Sequence, residues 1–240
     1  MNVLVTGGSG GLGEAIVRRL AARPDTHVHF TYCTRREPAE RIAADCRAAT
    51  AWRCDFHDPD SVSALCAAIP DMQLGGLVNN AHAGGWIGGY FHKTPAAEFS
   101  AAFADNVLPT IRITQEAIQG FRERKAGAIV SVLTSAVVGT PPLGTAVYTA
   151  TKAMLAQLAK VWAAENVRHR IRSNCVAPSF METTMTAGMD ERMVDQIRAA
   201  HPLRELLPLA QAAEVVEFLL TGPTHVNGTT IVVDGGATMR

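Results

Sequence analysis

A chain of 240 residues, 48% of them hydrophobic and spread along its length, has enough apolar material for one sizeable buried core and is too apolar for a disordered segment. Its 22 lysines and arginines balance 22 aspartates and glutamates with no long run of either sign, so a nucleic-acid partner has no global electrostatic support. The absence of any apolar run of about 18 residues, and of a basic segment leading into an apolar one at the N-terminus, leads to the expectation of a cytoplasmic protein without a membrane span or secretory signal.

Taken in chain order, short β-branched apolar runs bounded by glycine or polar turns predict strands over residues 2–6, 27–32, 51–54, 76–79, 128–133, 171–176 and 229–233. Between them, helical spacing of Leu, Ala, Ile and Val predicts helices near 12–22, 37–48, 58–68, 96–124, 146–166, 189–200 and 211–221. Continuously apolar runs suit strands buried on both faces. Alternation of strand and helix then argues for parallel strands joined by right-handed crossovers. The expected fold is α/β: a single domain over 1–240, doubly wound (Rossmann), with about seven parallel strands and helices on both faces. Ligands bind such sheets beyond the carboxyl ends of the strands. A long irregular stretch after residue 178 predicts a substrate loop or lid near 178–200. Cys33, Cys46, Cys54, Cys66 and Cys175 are scattered, without a Cys-x-x-Cys pair or histidines at zinc spacing. Free thiols in a reducing compartment are expected, and no metal site.

The first strand ends in Thr6-Gly7-Gly8-Ser9-Gly10-Gly11-Leu12-Gly13 and leads into Glu14-Ala15-Ile16-Val17, a helical start. Glycines between a strand and a helix let the backbone turn tightly and approach a pyrophosphate, whose charge sits at the helix N-terminus. Glycine also serves ordinary tight turns; the place of this turn after a first strand is what points to a dinucleotide. Two spacings fit, Gly8-x-Gly10-x-x-Gly13 and Gly7-x-x-x-Gly11-x-Gly13, and spacing does not choose between them. At the end of the second strand, where an acid would accept from a ribose 2′-hydroxyl, the sequence reads Thr31-Tyr32-Cys33-Thr34-Arg35-Arg36. Two guanidiniums and no acid favour a 2′-phosphate, hence NADP(H) over NAD(H), against the plainer use of either arginine as a solvated residue at a helix start. Asp55, just after the third strand, suits either acceptance from an adenine amino group or capping of the next helix together with Asp58.

Tyr148 and Lys152 stand at i and i+4, on one helix face. A cation beside a phenol favours the phenolate and lowers its pKa toward working pH, as an acid-base catalyst needs. Such a pair is common as surface decoration, but here Ser135 lies thirteen residues upstream, at the end of the predicted fifth strand where the crevice falls. A hydroxyl there orients a carbonyl or makes an ordinary turn. Asn79 and Asn80 end the fourth strand, and Asn106 sits in a helical stretch that its propensity does not favour. Structural or not, all three fall on the same carboxyl edge.

Together these residues resemble the short-chain dehydrogenases/reductases, and the resemblance covers essentially the whole chain. Thr6-Gly7-x-x-x-Gly11-x-Gly13 is similar to that family's cofactor motif, which selects the second glycine spacing. Asn79-Asn80-Ala81 matches its fourth-strand motif. Asn106, Ser135, Tyr148 and Lys152 match its Asn-Ser-Tyr-Lys tetrad in order and separation. Residues 177–186 resemble the nicotinamide loop, with Pro178 at its start and Thr183 where the carboxamide is usually contacted; residues 226–236 resemble the C-terminal strand and turn. Loop and ending look closest to 3-oxoacyl-[acyl-carrier-protein] reductases, which implies a homotetramer (or homodimer) using the long helices around Asn106 and Tyr148. Two positions depart from the pattern: His82 replaces the fourth-strand glycine, and Ser179 the glycine after the loop proline. His82 either donates to substrate or packs beside the cofactor. Gly84 through Tyr90, with Trp86, is either a flexible wall of the substrate site or a plain connection.

The resemblance implies reduction of a ketone. NADPH delivers hydride to the carbonyl carbon while Tyr148 gives its proton to the oxygen. Ser135 orients that oxygen, Lys152 lowers the tyrosine pKa and holds the nicotinamide ribose, and Asn106 holds a water of the proton relay. Expected cofactor contacts are Thr6, Gly7, Ser9, Gly10, Gly11, Leu12, Gly13, Arg35, Arg36, Asp55, Asn80, Ala81, Tyr148, Lys152, Pro178 and Thr183; His82, Trp86 and Ser179 are assigned to substrate. The preferred substrate is a 3-oxoacyl thioester on an acyl carrier protein, in fatty-acid or polyketide-type assembly. A free small-molecule alcohol or polyol dehydrogenase would have the same tetrad. A non-catalytic dinucleotide-binding regulator would be expected to lack one member, and none is missing. Arg122, Arg124 and Lys125 close one long helix, and Arg168, Arg170 and Arg172 follow the helix bearing Tyr148. They are expected to form a basic patch beside the crevice that steers an acidic carrier, or only to complement helix C-terminal dipoles.

Overall fold

A computed structural model describes residues 1–239. Seven strands, β1 (Asn2–Val5), β2 (His27–Tyr32), β3 (Ala49–Arg53), β4 (Leu74–Asn79), β5 (Gly127–Val132), β6 (Ile171–Pro178) and β7 (Thr230–Val233), form one sheet. Every pairing is parallel, in the order β3-β2-β1-β4-β5-β6-β7. Eight α-helices accompany them: α1 (Gly11–Ala21), α2 (Arg36–Asp45), α3 (Pro59–Met72), α4 (Ala96–Ala102), α5 (Leu108–Arg124), α6 (Ala146–Asn166), α7 (Glu191–Ala200) and α8 (Leu209–Thr221). The doubly wound parallel fold read from the alternation is the one observed. Among the described residues no helix is long and apolar enough to cross a membrane.

Successive strand residues point to opposite faces, and the apolar runs supply both. Val3 and Val5 of β1, Val78 of β4 and Val130 of β5 pack with Ile16 and Leu20 of α1, Ile42 of α2 and Val216 and Leu219 of α8. Their neighbours Leu4, Leu77 and Ile129 turn the other way, against Leu65 of α3, Ile113 and Phe121 of α5 and Leu155 and Trp162 of α6. Each such buried side chain contributes about 1.5–3 kcal/mol, so both faces must be covered for the sheet to persist in water.

The stretch predicted as one helix over 96–124 is instead broken. Between α4 and α5, Phe103–Val107 forms one π-helical turn. Its cause is local: Pro109 lacks an N–H, and Asn106 Nδ2 donates to the carbonyl of Ala102 at 3.1 Å. π-Turns of this kind often mark functional sites. The chain winds from β1 to β3 in one direction and from β4 to β7 in the other, so strand order reverses between β1 and β4. Their carboxyl ends therefore splay apart into a crevice.

Candidate active site

The loops beyond the carboxyl ends of the strands enclose a cleft of about 1350 Å³. At one end lies the glycine turn. Gly10 precedes α1 without a capping side chain, and the first-turn N–H groups of a helix have no intrahelical acceptor. Gly10, Gly11, Leu12 and Gly13 all line the cleft, as does Ser9. A Cβ on Gly13 would overlap the carbonyl oxygen of Gly7 and lie 2.8 Å from Asn80 Nδ2. That amide donates to the carbonyls of Thr6 (2.9 Å) and Gly7 (3.1 Å), binding the turn to the end of β4. Only glycine permits this approach, and the cradle left open at the helix start fits a pyrophosphate.

Thr6 itself does not reach the cleft. Its hydroxyl accepts from the backbone N–H groups of Asn80 and Ala81, both at 3.0 Å, so it holds the β4 motif in place rather than a ligand. Asn79 likewise turns inward and donates to Thr114 Oγ1 at 3.0 Å. The two arginines part company. Arg35 lines the cleft with its guanidinium directly over Gly10, whereas Arg36 points to solvent and pairs with Glu40 at 2.7 Å. The readings left open for Asp55 also separate: Asp58 caps α3, accepting from Asp60 N at 3.0 Å, while Asp55 stays on the cleft wall and accepts from His57 N.

At the other end of the cleft, α6 presents Tyr148 and Lys152 beside Ser135, which starts a short 3₁₀ turn after β5. The Lys152 ammonium lies 5.9 Å from the centre of the Tyr148 ring and donates to the carbonyl of Val132 at 3.0 Å. Lys152 was expected to lower the phenol's pKa, and here it does not. Burial pushes Tyr148 up to about 12, with the Thr134 hydroxyl beside it pulling slightly the other way. The lysine's own charge is turned toward Val132, so desolvation prevails at the phenol.

Burial also pushes Lys152 down to about 8, from a usual 10.5. Between those values the unfolded chain binds more protons than the folded one, so this group makes stability rise with pH from about 8 to 10.5. Below pH 8 the buried cation carries a cost on the order of 3 kcal/mol. Removing the charge in Lys152→Met removes the titration. Between pH 7 and 10.5 the stability of the parent should therefore gain on that of the variant by a few kcal/mol, as urea unfolding at each pH will measure. A constant difference would mean that Lys152 titrates like a solvated lysine.

Asn106 is buried, and both of its amide hydrogens are engaged, by the carbonyls of Ala83 (3.2 Å) and Ala102 (3.1 Å); Oδ1 accepts from Ala83 N at 2.7 Å. The Asn106 side chain thereby clamps the segment after β4. His82, just before the clamped residue, meets the Tyr148 ring edge-on with centroids 5.0 Å apart. Burial, with Lys152 nearby, pushes this imidazole down to about 3, so it is neutral at ordinary pH. Trp86 also lines the cleft, its ring 5.7 Å from that of Phe180. Ala81, Pro178 and Ser179 line it too, the Ser179 hydroxyl being buried without a hydrogen-bond partner. Thr183 also lines the cleft and packs directly on the glycine turn, 3.1 Å from where a Cβ on Gly11 would lie.

Sequence reading missed one wall. Met181, Met185, Met189, Met193 and Ile197, from the loop after β6 and from α7, give the cleft an apolar side. Met185, Met189, Met193 and Ile197 recur every four residues, a spacing that would have shown one face. Thr134, adjacent to the phenol, was also missed; no pattern in the sequence separates it from an ordinary turn residue.

The expected basic patch beside the crevice is not there. α5 ends at Arg124 just before β5 begins, and α6 ends at Asn166 just before β6, so both clusters sit at the amino edge of the sheet, opposite the cleft. Their members also have structural partners. Arg172 is buried and donates to the carbonyls of Leu219 (2.7 Å) and Leu220 (2.8 Å) near the end of α8. Arg122 donates to Asn166 at 2.8 Å, and Arg124 to the carbonyl of Leu74.

A glycine turn at a helix start, opening on a cleft that holds Ser135, Tyr148 and Lys152 in a doubly wound sheet, defines a nicotinamide-dependent oxidoreductase class. The comparisons agree. A family model described as enoyl-(acyl carrier protein) reductase, of the short-chain dehydrogenase type, matches residues 7–238. Nodulation protein G of a Rhizobium species is 33% identical, over 98% of this chain and 96% of that protein. The 3-oxoacyl-[acyl-carrier-protein] reductase MabA of Mycobacterium bovis is 30% identical, over 99% and 93% respectively. A short chain dehydrogenase from Burkholderia cenocepacia, solved in complex with NADP, superposes with a TM-score of 0.84 at 29% identity, covering 98% of this chain and 96% of that one. The chain belongs to the short-chain dehydrogenase/reductase family and is an NAD(P)-dependent oxidoreductase.

Proposed function

We propose that the protein reduces a ketone to a secondary alcohol at the expense of NADPH, and that its preferred substrate is a 3-oxoacyl thioester on an acyl carrier protein. The observation that carries this reading is that Ser135 and Tyr148 share one cleft with a group of methionines. Methionine is unbranched and adaptable, so such a wall takes up the flexible thioester arm of the substrate. A polyol would bury hydroxyls there without partners, at about 1–3 kcal/mol each. MabA, a 3-oxoacyl-[acyl-carrier-protein] reductase by name, adds support. The carrier itself finds no support in the basic clusters, which lie at the far edge, so a free ketone of similar shape is the second reading.

When bound, the nicotinamide supplies the hydride. The glycine turn holds the pyrophosphate, Asp55, Asn80 and Ala81 border the nucleoside, and Thr183 with Pro178 borders the nicotinamide. Ser135 donates a hydrogen bond to the substrate oxygen and orients it. Tyr148 gives that oxygen its proton; burial that holds the phenol near 12 keeps it protonated throughout the working range but makes it a weaker acid than one tuned to working pH. Lys152 serves from behind, as a donor toward the cofactor ribose. Residues 178–200 act as the lid, bringing Met185, Met189 and Met193 over the substrate. Leu108, Met154 and Val161 are 43–45% exposed on the outer sides of α5 and α6, in keeping with helices that are covered in a homotetramer or homodimer.

NADPH consumption across carrier-bound and free 3-oxoacyl thioesters and simple ketones, set beside NAD(P)H formation from polyols and the oxidised cofactor, tests the reading. Turnover of the thioesters is expected, and activity confined to polyols with NAD would overturn it. Cofactor choice has its own test. Arginine-to-phosphate hydrogen bonds contribute about 1.5–3 kcal/mol, so Arg35→Ala should lower kcat/KM for NADPH by about 10- to 100-fold and leave NADH within about threefold. Arg36→Ala, whose guanidinium faces Glu40, should change neither by more than about twofold.

A further inference from the structure

Behind Tyr148 lies a second cavity, of about 300 Å³. Ala101, Ala102, Gly144 and Val147 give it small apolar walls, and Asp105 on its side is paired with His57 at 3.0 Å. His82, Tyr148, Trp86 and Ile87 border this cavity and the main cleft alike. At the centre of the partition between the two spaces stands the His82–Tyr148 pair, joined edge to face at 5.0 Å. We propose that His82 closes the rear of the substrate cleft, so that the ketone must carry one small arm on the side away from the methionine wall. This inference rests on the ketone-reduction reading above.

Three observations support a fixed partition rather than a loose side chain. The backbone on either side of His82 is pinned: Ala81 N donates to Thr6 Oγ1 at 3.0 Å, and Ala83 is held through both its N–H and its carbonyl by Asn106. The imidazole is half-buried, beside the backbone of Gly85. Gly88 N donates to the carbonyl of Gly144 at 2.7 Å, which ties the glycine-rich segment over the start of α6 and roofs the rear cavity. A glycine at position 82 would open the partition beside Tyr148, Trp86 and Ile87, and a substituent on the carbonyl carbon would have somewhere to go.

The isomers 2-octanone and 4-octanone test this, because they have the same composition and differ by two methylenes in the shorter arm. Each is measured as its inhibition constant against NADPH-dependent reduction of a 3-oxobutanoyl thioester, in the parent, in His82→Gly and in His82→Phe. A buried methylene changes affinity by about fourfold, so the parent should prefer 2-octanone by about 15-fold or more. His82→Gly should erase that preference, and His82→Phe, which restores a ring, should keep it. NADPH affinity, followed by fluorescence, reports folding of each variant, and His82→Ala replaces His82→Gly if the latter does not fold. A preference in the glycine or alanine variant within twofold of the parent's overturns the partition and leaves the ketone-reduction reading standing. Failure of the parent to reduce the thioester removes that reading, and the partition falls with it.

Discussion

Tyr148→Phe is expected to lower kcat for ketone reduction by about 10²–10⁴-fold, the range typical of a general acid, while NADPH affinity stays within a few fold. Phenylalanine keeps the ring against His82 and fills the same space, so packing in the cleft is preserved and only the hydroxyl is lost. Thermal unfolding of parent and variant should accordingly agree within a few degrees. Burial holds the parent phenol near 12, so its proton is in place across the neutral range and no limb from Tyr148 should appear below about pH 10 in the pH profile of kcat/KM for NADPH, which reports the free enzyme. Steady-state kinetics with a 3-oxoacyl thioester will decide. A loss smaller than tenfold would be too little for a proton donor and would move that role to another hydroxyl, with Ser135 or the adjacent Thr134 the first to examine.

The second large effect concerns the glycine turn. Gly13→Ala places a methyl group onto the backbone carbonyl of Gly7, and backbone on both sides is fixed by Asn80. Alanine would normally gain about 1 kcal/mol over glycine within a helix. Overpacking against rigid structure costs about 1–3 kcal/mol, and an overlap with backbone lies at or beyond the top of that range. The clash therefore wins. Gly13→Ala should lose measurable NADPH binding in isothermal titration and unfold at lower temperature than the parent. Gly10→Ala makes the informative contrast, since its methyl would meet only the guanidinium end of Arg35, which can swing aside. Its unfolding temperature should stay within about 2 °C of the parent's, by the small response typical of surface changes. Equal behaviour of the two variants would show that the turn is more yielding than its geometry states.

Much of the fold was legible because its signals are local. Valine- and isoleucine-rich runs between amphipathic segments dictate parallel strands covered on both faces, and they fixed all seven strands to within about two residues. The single long helix over 96–124 was misread because its break depends on a side chain, Asn106, capturing the carbonyl of Ala102 and reaching across to Ala83. Helical periodicity does not register such a π-turn, since the apolar spacing continues on either side of it. Cofactor-end residues divided in the same way. Glycine positions followed from the strand-turn-helix grammar, whereas the separate fates of Arg35 and Arg36 depended on which side of one short turn each faces.

By itself, the sequence determined the doubly wound sheet, the glycine turn at its switch point, and the gathering of Ser135, Tyr148 and Lys152 at the carboxyl edge. These follow from periodicity, from turn chemistry and from the rule that parallel sheets open at their strand ends. Only the tertiary structure decided what depends on long-range approach. It carried the basic clusters to the far edge, because helices antiparallel to the strands end where the next strand begins. Desolvation, which no local pattern encodes, set the protonation of Tyr148, Lys152 and His82. And the methionines share a cleft with the catalytic residues because the loop after β6 and α7 border the crevice, bringing Met185 and Met193 within one cleft of a tyrosine some 40 residues earlier in the chain.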